Sequence, residues 1–98
     1  MELGQVVATR TFSVNEEPVE LLIGAPRAYP DGNDYFCPFQ VKGIGDERVR
    51  HAGGIDGLQA LILAVERAAM YLSSTEEVRG GQLKFLGETG IGFGPSTD

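Results

Sequence analysis

The sequence predicts an α+β domain: an antiparallel meander sheet of four or five strands with one helix packed on one face, in chain order β-β-β-β-α-β. Three observations predict it. Between residues 6 and 42, apolar side chains recur at every second position in three separate runs, the period of half-buried strands. Turn chemistry separates those runs: "NEEP", then the ten residues "APRAYPDGND", then "GIGD". From Asp56 onward the apolar residues instead fall three and four apart, which is the period of a helix.

The first run, "VVATRTFSV" (residues 6–14), puts Val6, Ala8, Phe12 and Val14 on one face and Val7, Thr9, Thr11 and Ser13 on the other. Arg10 falls in the buried phase, where its stem can pack while its guanidinium reaches an edge. After the "NEEP" turn, Pro18 can start the next strand but cannot occupy its middle. In that strand, "VELLIG", Val19, Leu21 and Ile23 share a face, so the first two strands form a hairpin. "APRAYPDGND" shows no period and reads as a long surface loop; loops of this length are functional more often than short ones. "DYFCPFQVKG" returns to a strand, with Tyr35, Cys37, Phe39 and Val41 in one phase and Phe36, Gln40 and Lys42 in the other. Pro38 lacks an N–H and predicts an edge, a bulge or an irregular start at that point. "ERVRHA" then closes a second hairpin as a short charged strand suited to an exposed edge.

Asp56 is a good N-cap, and Gln59 completes a D-x-x-Q capping box. Gly53 and Gly54 are expected to supply the corner from the fourth strand onto the sheet face, because glycine tolerates positive φ. Leu58, Leu61, Ile62, Val65, Ala68, Ala69 and Leu72 cover one broad stripe, the expected core face. Leu63 and Met70 form a second stripe beside Gln59 and Glu66, while Ala60, Ala64 and Tyr71 occupy the remaining arc. One sheet covers roughly half of a helix, so these further apolar residues are scattered surface hydrophobes of an ordinary kind, lie under the loop or tail of the same chain, meet a second copy or meet a partner. The candidate contact set is Leu63, Arg67, Met70 and Tyr71, with the loop of residues 26–34. Beyond the helix, "EEVRGG" reads as a polar turn and "QLKFLG" as a fifth strand. The folded domain is expected to span residues 1–87, with residues 88–98 a flexible glycine-rich tail.

A chain of 98 residues has room for one core and buries only about 60 to 65% of the surface that its unfolded form exposes, so modest stability is expected unless a partner or a second copy covers more. Its single cysteine, Cys37, has no partner for a disulfide, and "MELGQVVATR" lacks the basic start and apolar core of a signal peptide, so a cytoplasmic location is expected. Gln59, Glu66 and Arg67 interrupt the long apolar segment, which argues against a membrane span. A net charge of −6 opposes binding to nucleic acid.

With "GIGD" as a four-residue connection, Cys37 stands opposite Ala52 and His51 opposite Pro38. The Cys37 and His51 side chains then point to opposite faces, which counts against a nucleophile pair. No catalytic residue, cofactor or metal is expected, since one His and one Cys have no ligand spacing. "RVRHAGG" feeding a helix start offers Arg48, Arg50 and His51 as an anion-binding corner. Asp56 opposes it, because its carboxylate competes for the same N–H groups. "GIGFG" precedes no helix and so has no nucleotide-binding mechanism.

The segment "GIDGLQALILAVERAAMYL", preceded by "CPFQVKG", resembles small uncharacterised bacterial proteins in which a Gly-x-Asp-x-Leu-Gln-Ala-Leu run opens a helix after several strands. The resemblance implies a bacterial origin and an α+β fold, and it brings no activity or site. The favoured function is a non-enzymatic cytoplasmic interaction module that self-associates as a homodimer and can hold a protein partner. Two alternatives stand beside it. One is an immunity-type inhibitor of a basic toxin, steered by the acidic turns. The other is a small-ligand or anion-binding domain at the strand-to-helix corner, which requires Arg48 and His51 to line a concave pocket.

Overall fold

Alternation builds a sheet here, and alanine spacing decides how the helix lies on it. The computed structural model describes residues 1–94. Its elements are β1 (Val6–Val14), β2 (Glu17–Gly24), β3 (Arg27–Ala28), β4 (Tyr35–Lys42), β5 (Arg50–Gly54), α1 (Gly57–Ser73), α2 (Glu76–Arg79), β6 (Leu83–Phe85) and β7 (Glu88–Thr89). All strand pairs are antiparallel and belong to one sheet. β1 and β2 join through Asn15 (φ 50°) and Glu16 (φ 70°), a two-residue turn whose left-handed residues match the twist of a hairpin. Phe39 stands opposite both Ile23 and Arg50, so β2 and β5 flank β4 on its two sides. β5 is therefore an edge strand, followed inward by β4, β2, β1, β6 and β7.

The α+β class, and the meander of β1, β2, β4 and β5, are as expected; the strand count is higher. The two additional strands have two residues each, too few to show a period in the sequence. β3 lies inside the expected loop, where Arg27 and Ala28 pair with Phe36 and Tyr35, and the Tyr29 amide donates to the Asp34 carbonyl at 2.8 Å. β4 is interior rather than an edge. Pro38 stands in the interval where its neighbour changes from β2, last paired at Ile23 and Phe39, to β3, first paired at Arg27 and Phe36. A residue without an N–H fits at such a break. β5 begins at Arg50 rather than Glu47, because the Asp46 carboxylate accepts from the Arg48 amide at 2.9 Å and turns the chain there. Its register is the expected one, Cys37 opposite Ala52 and Pro38 opposite His51.

The core joins Phe12, Val19, Leu21, Ile23, Cys37, Phe39, Val41 and Ala52 of the sheet to α1. The helix is rotated from the expected setting. Ala60, Ala64, Ala68 and Leu72, four apart, face the sheet, whereas Leu58, Ile62 and Val65 are 67%, 50% and 37% exposed. Size explains it: a ridge of alanines lets α1 approach β4 and β5 closely, and the larger side chains are displaced to its flanks. Gly54 belongs to this contact. A Cβ there would lie 2.5 Å from the Ala60 nitrogen, and neither Gly53 nor Gly54 has a positive φ, so close approach replaces the expected corner. The expected Asp56 cap forms, with the Gln59 amide donating to Asp56 Oδ1 at 2.8 Å; the return bond of the box is displaced by one residue, the Ile55 amide donating to Gln59 Oε1 at 2.8 Å.

α1 lies over β4 and β5, and the start of β1 is left open, with Val6 and Val7 exposed although Phe12 is buried. Arg10, expected to snorkel toward an edge, packs part-buried against the C-terminal segment. Its guanidinium lies 4.1 Å over the Phe85 ring and donates to the Ile91 carbonyl at 3.2 Å. Within the segment expected as a tail, Glu88 and Thr89 form β7, Ile91 is buried and Phe93 lies against the core. The final part of that segment, residues 95–98, lies outside the described residues. The expected polar turn "EEVRGG" holds the single helical turn α2, capped by the Thr75 hydroxyl.

Candidate functional site

Two groups of residues that look unrelated in the sequence meet in one groove. α1 presents Leu63, Arg67 and Met70, spaced four and three, along the ridge that overlooks β5. The chain entering β5 supplies Arg48, Val49, Arg50 and His51, and Phe39 and Tyr71 close the inner end. Between them lies an open groove of about 810 Å³.

Local contacts fix its rim. The Arg50 guanidinium donates to both Asp46 oxygens, at 3.0 and 3.2 Å, in the forked geometry of a strong ion pair. The same guanidinium stacks 3.8 Å over the Tyr71 ring and so ties the strand to the helix. The Arg48 amide, and then the Arg50 side chain, hold the Asp46 carboxyl below its ordinary 3.8. Gln40 donates to the Glu47 carbonyl at 2.7 Å and the Gly43 amide to the Glu47 carboxylate at 3.0 Å, which anchors the loop between β4 and β5. Gly45 suits its place: its φ is 67°, which glycine adopts without strain, and a Cβ would press on the Tyr71 hydroxyl.

The expected contact residues Leu63, Arg67, Met70 and Tyr71 all line this groove, and so do Arg48, Arg50 and His51. The anion corner is not where it was expected. Asp56 occupies the N-terminus of α1, while Arg50 stands at the far end of β5 against Tyr71, near the C-terminus of α1. Arg48 and His51 do line a concave surface, but it runs along the helix instead of capping it. The loop of residues 26–34 contributes no lining side chain. Its Arg27 and Tyr29 lie against Phe36, each about 4.9 Å from that ring's centre. Cys37 and His51 face opposite ways: Cys37 is fully buried and its thiol donates to the Gly24 carbonyl at 3.2 Å, while His51 is exposed, edge-on to Phe36. Burial pushes the Cys37 thiol up in pKa, which disfavours its nucleophilic form.

Sequence reasoning missed Phe39, Val49 and Glu66 as lining residues, and it missed the exposed apolar flank of α1. Ile55, Leu58 and Ile62, with Leu63, border a shallower depression of about 380 Å³. The four-three spacing of Leu58, Ile62 and Val65 was the available signal, since it matches the seam of paired helices. Among the described residues, β5 pairs with β4 alone, no three His, Cys, Asp or Glu side chains gather as a metal set, and no helix is long and apolar enough to cross a membrane.

Residues 8–95 match the family described as a domain of unknown function, DUF6968. Neither the curated proteins nor the solved structures give a match.

Proposed function

The chain belongs to the DUF6968 family, and we propose that it works as a non-enzymatic interaction module that holds a protein partner in the groove between β5 and α1. One observation carries the reading: Leu63, Met70 and Val49 give the open groove an apolar lining, and the exposed Arg48 and Arg67 line it beside them. Apolar floors, charged rims, and Met, Tyr and Arg as anchors are the anatomy of protein interfaces. Small-ligand sites enclose most of their occupant instead. A bacterial cytoplasm is the proposed setting, and the free buried thiol of Cys37 suits a reducing compartment.

A photo-crosslinking residue in place of Met70, in cells expressing the chain, is expected to give a discrete adduct with another protein. Leu63→Glu is expected to remove it, because a lost anchor costs about 2 kcal/mol, roughly thirty-fold in affinity. The same cross-linker at Glu20, exposed on the sheet face away from α1, provides the background. Equal yields at the two positions would contradict the reading.

Self-association is a second reading, and a different surface supports it. Leu58, Ile62 and Val65 form an exposed apolar seam on the other flank of α1. Pairing with the same seam of a second copy would cover it. Light scattering at micromolar concentration is expected to show a dimer that Ile62→Glu dissociates; a wild-type monomer would end this second reading.

A further inference from the structure

We infer that the occupant of the groove is an extended acidic segment of another protein, added to the sheet as a strand along β5. This rests on the reading of the groove as the binding surface and goes further, to the partner's chemistry. The free edge of β5 supplies the first half of the inference. Among the described residues its outer side has no paired strand, and an edge strand presents unpaired N–H and C=O groups to any extended chain laid beside it. β5 is about 16 Å long, and the α1 ridge from Leu63 to Met70 runs about 10 Å above it. A strand on that edge turns alternate side chains toward Leu63, Arg67 and Met70, which gives main-chain affinity and side-chain selection together.

Charge supplies the second half. Three of the chain's eight Lys and Arg residues line the groove against one acid, Glu66, although the net charge is −6. Asp46 does not satisfy all three. It is forked to Arg50, it sits 3.7 Å from the exposed Arg48, and Arg67 makes no ion pair or hydrogen bond among the described residues. Arg67 is thus left for a carboxylate of the incoming strand, and Arg48, exposed and held to Asp46 only by that 3.7 Å ion pair, can share one.

A displayed library of random dodecapeptides selected on the full chain tests this. Selected peptides are expected to alternate apolar residues, to carry acids, and to slow amide exchange in residues 50–54. Arg67→Glu and Met70→Glu, both at exposed positions, are expected to weaken them about tenfold or more with circular dichroism unchanged. N-methylation at every second peptide position is expected to abolish binding while the intervening positions tolerate it, because only alternate residues bond to the neighbouring strand. N-methylation without that parity, or selection without acids, overturns the inference and leaves the groove standing. Binding that ignores Arg67→Glu and Met70→Glu overturns the groove as well. If no peptide is selected, strand addition is overturned, and the Met70 cross-link still judges the groove by itself.

Discussion

At the scale of single residues, what could be read in the sequence divides by the range of the cause. Asp56 and Gln59 were legible because a cap acts within one turn. Gly54 was not, because its reason is a helix that arrives from elsewhere, whose Ala60 backbone would lie 2.5 Å from a Cβ. Gly54→Ala is expected to destabilise by about 1–3 kcal/mol in urea unfolding. Gly53→Ala, whose nearest contact would be an ordinary 3.4 Å, is expected to cost far less. Asp46 gives a pH dependence of known sign. Its folded pKa is depressed, so its support of the loop is present above its ordinary value of 3.8 and is lost as pH falls through the lowered one. Tyr71 ring resonances should therefore move below about pH 4, and Asp46→Asn should abolish that movement. The Cys37 thiol, buried and raised in pKa, should react with a thiol reagent only as fast as the fold opens.

At the scale of elements, β1, β2 and the β4–β5 register followed from alternation and from the lengths of the turns. The setting of α1 did not. Hydrophobicity ranks Leu58, Ile62 and Val65 above alanine, but close packing on β4 and β5 ranks by size, and Ala60, Ala64 and Ala68 took the buried face. Mutation should reverse the intuitive order. Ala64→Leu is expected to cost about 1–3 kcal/mol by overpacking, whereas Ile62→Ala, half exposed, should cost well under the several kcal/mol of a buried isoleucine. Denaturant midpoints of the two variants decide it. The rotation also explains how the candidate residues were found for an incomplete reason. Leu63, Met70 and Tyr71 stood out as surplus to the core, and they lie beside it because the whole helix has turned to place them over β5.

At the scale of the molecule, both flanks of α1 are open, and they differ in chemistry. Toward β5 the surface is concave, lined by apolar side chains and three arginines; on the other side Leu58, Ile62 and Val65 are apolar. An acidic chain that gathers arginines in one groove favours an acidic partner there, and its association should slow as salt is raised. The groove was not legible as a unit, because its strand and helix residues, such as Arg48 and Met70, come to line one surface only through the crossing of β5 and α1. The most direct measurement is site-specific photo-crosslinking in cells from three positions: Met70 in the groove, Ile62 on the opposite flank and Glu20 on the far sheet face. A discrete adduct with another protein from Met70, lost with Leu63→Glu and absent from Glu20, is the predicted result; a Met70 yield no higher than that from Glu20 would contradict it.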